Sequence, residues 1–356
     1  MKIGIVGLPK SGKRTLFKLL TGVKVQSASQ EVKSVPGIAD IHDLRFNSLV
    51  ELYKPKKIAP AQIAVELMQD LDKRIIKESA IFRDIANMDA LCLVVRAFND
   101  EAVYHVNGSV DCERDINEIN GEFVLHDLLF IEKRMERIDL NIKKGIGEQQ
   151  EIEKSLLNRL KKHLEQDLPL RTCETSEDEM KIIAGYPFIT LKEMIIVLNI
   201  SDEELDNTEL KNHLKNKYES QRVKIMQISA KLESEINALE SNDERLEFMN
   251  ASGIADSAIN LMSRLCMEAL GRISFFTVGK DEVKQWLIKK GTLAPGAAGV
   301  IHSDIQRGFI RAEVMKYDDL MQNGNEIKVK QANKYYVMGK DYTIEDGDIV
   351  SYRFNV

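Results

Sequence analysis

The sequence predicts an α/β fold: a P-loop domain built on a mostly parallel sheet, an antiparallel helical hairpin inserted into it, and a small α+β domain at the carboxyl end. Three observations predict it. A glycine loop joins an apolar run to a helix-patterned stretch at the first residues of the chain. Two consecutive stretches near the middle repeat apolar residues every three or four positions, and from about Ile273 the pattern becomes short and β-rich.

Lys2–Val6 (KIGIV) has the composition of a buried strand, and Thr15–Leu20 resumes at helical spacing. Between them Gly7–Thr15 reads GLPKSGKRT. The pattern G-x-x-x-x-G-K-[ST] uses its glycines so that backbone N–H groups close around phosphate oxygens, its lysine to reach the β- and γ-phosphates, and its hydroxyl to hold Mg²⁺. Gly7, Gly12 and Lys13 fill their places, but Arg14 stands where the hydroxyl belongs. The helix that starts here turns free N–H groups and a positive dipole end toward an entering anion. The alternative reading is an ordinary glycine turn between strand and helix.

Asp89–Val95, Met194–Leu198 and Val223–Ile228 are further strand-like runs, ending in Arg96-Ala97, in Asn199–Asp202 and in Ser229–Lys231. Ligands of open parallel sheets bind outside such carboxyl ends. In the middle of the chain Leu128, Ile131, Met135, Ile138 and Ile142 form one stripe, and Ile152, Leu156, Leu160 and Leu164 a second, joined by a glycine-bearing turn at 143–147. This pattern reads as a coiled-coil-like hairpin whose stripes are core. Lys143, Lys144, Lys161 and Lys162 lie along it, either as a solvated face or as a nucleic-acid contact. The expected domains are 1–120 with 185–272, the arm at 121–184, and 273–356.

With 44% hydrophobic and 30% charged residues, the 356-residue chain suits two or three globular domains. Its net charge of −6 (Lys+Arg 50, Asp+Glu 56) means that any RNA or ribosome contact must come from a local patch. No apolar leader and no 18-residue apolar span is present, so a cytoplasmic protein without a membrane partner is expected. Cys92, Cys112, Cys173 and Cys266 are widely spaced and the six histidines scattered, which predicts free packing thiols and argues for no metal cage or nucleophile triad.

Several strings together resemble one family, the YchF-type Obg-like ATPases, which are P-loop GTPase-superfamily proteins with a helical arm and a C-terminal TGS (β-grasp) domain. They are 289–302 (KKGTLAPGAAGVIH), 307–314 (RGFIRAEV), 317–320 (YDDL) and 352–356 (YRFNV), with 106–111 (VNGSVD) and 115–120 (DINEIN) nearer the N-terminus. The likeness runs over nearly the whole chain.

The resemblance implies that Gly7, Gly12, Lys13 and Thr15 contact phosphates, with Lys10 and Ser11 replacing an Asn-Val pair, and that Arg14 takes the magnesium hydroxyl's position. Asn199 matches the base-recognising asparagine, and Ser229, Ala230 and Lys231 match the S-A-K segment behind a purine. Asp202 is placed to accept guanine N–H groups, yet Ile200 replaces the customary lysine, so ATP and GTP both stay open. Val65–Asp70 falls where the family has V-D-I-A-G. That places Leu67 at the metal-associated aspartate and Asp70 at the glycine that senses the γ-phosphate. Gln30-Glu31 stands roughly at the first switch. The expectation is a purine-nucleotide-binding regulatory protein that docks arm and TGS domain on the ribosome or other RNA, with hydrolysis weakened and magnesium doubtful. An active ATPase or GTPase, or a scaffold without nucleotide, are the alternatives. Arg307, Phe309 and Arg311 are candidate RNA contacts, or simply one half-buried strand.

Overall fold

The computed structural model describes residues 2–25, 34–72, 80–142, 148–239, 241–252, 254 and 257–355. Gln30, Glu31, Lys143, Lys144 and the hairpin turn lie outside them. The strands are β1 (Lys2–Val6), β2 (Ser34–Asp40), β3 (Lys57–Ala59), β4 (Gln62–Met68), β5 (Ala90–Arg96), β6 (Glu193–Asn199), β7 (Val223–Ile228), β8 (Arg272–Thr277), β9 (Glu282–Lys289), β10 (Phe309–Lys316), β11 (Tyr335–Met338) and β12 (Asp348–Phe354). The first helices are α1 (Lys13–Thr21), α2 (Leu44–Tyr53), α3 (Ala80–Ala86), α4 (Cys112–Ile142) and α5 (Glu148–Leu164). Two compact units emerge, 1–38 with 64–257 and 39–63 with 258–356.

The first unit holds a sheet in the order β2-β4-β1-β5-β6-β7. β1 pairs in parallel with β4 and β5, Ile3 lying opposite both Val65 and Ala90, and β5-β6-β7 continue in parallel. Every residue of β5 is buried. A parallel strand covered on both faces must be apolar throughout, which is why these strands read as continuous runs and not as alternation. The loops after β1, β5, β6 and β7 therefore open on one edge of the sheet.

One helix serves two cores. Ile116, Ile119 and Phe123 of α4 pack on the sheet, while Ile131 and Ile138 of the same helix join Leu156, Leu157, Leu160 and Leu164 of α5 in the hairpin core. The expected boundary at residue 121 thus falls inside a 31-residue helix. One stripe residue departs from expectation: Ile152 is 57% exposed, and its neighbour Glu153 turns inward instead. There Glu153 accepts from Arg134 at 2.6 and 3.0 Å and from the Tyr186 hydroxyl, so an ion pair replaces an aliphatic contact. Lys161 pairs with Glu132 at 2.7 Å across the hairpin.

The second unit carries the sheet β11-β10-β12-β8-β9-β3. Segment 39–63, assigned from sequence to the nucleotide domain, groups here because β3 pairs with β9 and because Phe46 and Leu49 of α2 pack with Phe276, Val283 and Ile349. Helix Ala258–Ala269 falls in the same unit. Of the two readings of Phe309, the half-buried strand holds. The Phe309 side chain is 6% exposed, tilted against Tyr352 at 6.0 Å, and cannot stack on a base. A register irregularity between Phe309 and Arg311 breaks the alternation, so Ile310 faces outward. Arg311 and Arg353 both donate to Glu313, and Arg353 chiefly holds that carboxyl down to about 2. Among the described residues no helix is long and apolar enough to cross a membrane.

The chain returning from the hairpin is tied to α4 by one fully buried carboxylate. Asp127 accepts from Ile189 N at 2.9 Å, Thr190 N at 2.8 Å and Thr190 Oγ1 at 2.7 Å. Asp127→Ala strips these three donors of their acceptor, along with the His126 ring that meets the carboxylate at 3.0 Å, and is expected to cost about 3 kcal/mol, read as a lower urea midpoint with the fold retained.

Candidate functional site

The turn after β1 is shaped by two glycines. A Cβ at Gly7 would lie 2.5 Å from the Val94 carbonyl oxygen, and Gly12, at φ +96°, would drive a Cβ into the Asn199 amide. Gly12 also caps α1 without any side-chain cap, and the first turn carries no acidic residue. The leading N–H groups of α1 are thus left for an anion.

Lys13 is 2% exposed and its ammonium is held by oxygen: Gly7 O at 2.7 Å, Gln69 O at 3.2 Å and Asp70 Oδ1 at 2.6 Å. Burial lowers its pKa to about 8, with Asp70 pulling the other way. Arg14 is half exposed and reaches Asp70 at 3.5 Å. The Ser11 hydroxyl is buried without a hydrogen-bond partner.

The other wall comes from the ends of β6 and β7. Asn199, 5% exposed, donates through Nδ2 to Ser11 O and accepts through Oδ1 from Ala230 N, each at 3.0 Å. Its amide therefore braces the glycine loop against the Ser229–Lys231 segment, a positioning task the sequence did not reveal. Asp202 accepts from Ser229 Oγ and pairs with Lys231 at 3.2 Å. A third wall, Phe98 to Val103, is fixed by Arg96. That guanidinium donates to the carbonyls of Phe98, Asp100 and Val103 and lies 4.5 Å over the Phe98 ring.

These walls enclose a crevice of about 1370 Å³. Lys10, Ser11, Gly12, Lys13, Arg14, Thr15, Asn199, Asp202, Ser229, Ala230 and Lys231 all line it, with Gly7 just behind Lys13. Residues more than 180 positions apart meet because parallel strands deliver their carboxyl ends to one edge. Phe98, Asp100 and Glu235 also line the crevice and carried no sequence signal.

A nucleotide fits this site: a glycine cradle, an uncapped helix start, a buried lysine and an orphaned buried hydroxyl all suit phosphate oxygens. Magnesium does not. Arg14 offers a cation where a ligand oxygen is needed, Leu67 is a buried hydrocarbon, and the Asp70 carboxylate is already shared by Lys13 and Arg14.

The family model YchF-GTPase_C, described as a protein of unknown function (DUF933), matches residues 272–355. "Ribosome-binding ATPase YchF" of Bacillus subtilis is 35% identical over 99% of both chains. "Obg-like ATPase 1" of Oryza sativa subsp. japonica is 34% identical over 100% of this chain and 92% of its own length. The solved "Structure of the Schizosaccharomyces pombe YchF GTPase" superposes with a TM-score of 0.82 at 29% identity, covering 99% of this chain and 97% of that one. A glycine loop with its lysine on a sheet of this topology, with whole-length likeness on both counts, means that the chain belongs to the YchF/Obg-like ATPase family of the P-loop GTPase superfamily.

Proposed function

We propose that this chain is a purine-nucleotide-binding regulatory protein of the cytoplasm that acts with the ribosome or other RNA, through its hairpin arm and a C-terminal TGS domain, and whose hydrolysis is weakened or lost. One observation carries the nucleotide part: the backbone cradle and buried Lys13 are kept beside Arg14 and Leu67, which cannot coordinate a metal. Phosphoryl transfer is catalysed mostly by positioning and by charge neutralisation, with Mg²⁺ bridging the β- and γ-oxygens. Binding needs only the amides, the helix start and the ammonium. Turnover needs side chains that are replaced here. The partner part is supported by relatives named as ribosome-binding ATPases.

Fluorescent ADP, ATP, GDP and GTP analogues, titrated with and without Mg²⁺ while phosphate release is followed, test this reading. Binding that is indifferent to Mg²⁺, with release at the level of the blank, is expected; rapid Mg²⁺-dependent release overturns it. Arg14→Ser restores one hydroxyl but leaves Leu67 in place, so the metal response is expected to stay unchanged. Pelleting of the full chain with ribosomes through a sucrose cushion tests the partner.

The Lys13 shift sets a pH dependence. Its folded value of about 8 lies below the usual lysine value of 10.5, so unliganded stability is lowest below pH 8 and rises as pH climbs from about 8 toward 10.5. A bound phosphate favours the charged ammonium and raises that value. Nucleotide affinity is therefore expected to be flat from about pH 7, where the terminal phosphate is ionised, to about pH 8, and to fall above it by up to about tenfold per unit, measured by calorimetry at matched ionic strength.

A further inference from the structure

The phosphate cradle already holds an anion of its own. Asp70 Oδ1 lies 2.6 Å from Lys13 Nζ, and Asp70 Oδ2 lies 3.5 Å from the Arg14 guanidinium. An ammonium has three protons to donate. Here Gly7 O, Gln69 O and the Asp70 carboxylate are the acceptors, which fills that capacity. The carboxylate cannot drift away with a loose loop. Leu71 N donates to Gly7 O at 3.1 Å and Gln69 O accepts from Lys13, so the residues on both sides of Asp70 are fastened to the cradle. Its side chain is 31% exposed and lines the crevice.

In a loop of this type the lysine spans the β- and γ-phosphates while backbone amides hold the phosphates nearer the sugar. An oxygen in contact with Lys13 Nζ on the crevice side therefore stands where an oxygen of a terminal phosphate would stand. We propose that Asp70 is a specificity-determining residue that holds the terminal-phosphate position, so that the crevice takes a nucleoside diphosphate in preference to a nucleoside triphosphate. The inference rests on the nucleotide reading and deepens it.

Two phosphates can seat on the loop amides and the start of α1 while the Asp70–Lys13 pair stays formed. A third must either displace a tethered carboxylate or lie against it, with like charges a few ångströms apart at a half-buried position. Acidic side chains outnumber basic ones in the crevice lining, six to four, so the surroundings do not favour the added negative charge.

Isothermal titration calorimetry of the full chain with ADP, GDP and their imido triphosphate analogues AMPPNP and GMPPNP tests this, on the natural protein and on Asp70→Asn and Asp70→Gly. For the natural protein a diphosphate is expected to bind about tenfold more tightly, or more, than its triphosphate analogue. Asp70→Asn keeps the side chain's size without its charge and is expected to narrow the gap by strengthening triphosphate binding. Asp70→Gly, which also removes the bulk, is expected to close it. Equal affinity for di- and triphosphate in the natural protein, or an undiminished gap in a folded Asp70→Asn variant, overturns the inference and leaves the nucleotide reading standing. Failure of all four ligands to bind overturns that reading and the inference together.

Discussion

A single buried ammonium organises the first unit. Lys13 sits among carbonyl and carboxylate oxygens with almost no access to water, and a charge in that position is tolerable only if every proton finds an acceptor. Those acceptors come from the turn after β1 and from the end of β4, so the lysine fixes the spacing of two strand ends as it is neutralised. The same arrangement creates the site. Burial removes the water that would screen the charge, and an anion arriving at the loop meets a field undiminished by solvent.

Asn199 supplies the complementary restraint. Its amide ties the glycine loop to the segment after β7, so the phosphate side and the side that faces a base move as one body. Gly12 is required by this contact as much as by its own backbone angle, because a side chain there would fall on the Asn199 amide. The asparagine that family likeness assigns to base recognition is thus partly a brace. Specificity for one purine over another then falls to groups around it, and Asp202 is already shared between Ser229 and Lys231.

How much of this was legible follows from the range of each interaction. The parallel strands could be read because burial on both faces leaves a continuous apolar run, and the glycine loop because its geometry demands particular residues at fixed spacing. Segment 39–63 was misplaced because β3 is three residues long and Phe46 and Leu49 acquire their partners only in the C-terminal strands. Ile152 was read as core because its spacing fits the stripe; the decision belongs to Arg134 and Tyr186, which offer Glu153 an ionic and hydrogen-bonded partner that no local pattern encodes. The half-buried strand at Phe309 is legible, but which of its side chains face inward is not, since a strand irregularity shifts the alternation by one. Asp70 stands out in sequence as a misfit in the glycine's place, but its contact with Lys13 spans 57 positions and exists only once β1 and β4 are paired.

The departures from the family pattern at the site become coherent when their charges are counted together. Arg14 adds a positive charge beside an already buried lysine, and with no other change this would raise the cost of keeping Lys13 protonated. Asp70 adds a negative charge in contact with both. Leu67 removes the carboxylate that a metal would have needed, and so removes a competitor for the two cations. Lys13, Arg14 and Asp70 together set two cations against one carboxylate, a cluster that suits an anion and repels a metal ion. A cradle built from backbone amides survives such exchange because it does not depend on side-chain identity, whereas a metal site spread over two elements is lost with either ligand. The proposed function rests on this physical asymmetry: a backbone cradle tolerates side-chain exchanges that a metal site does not.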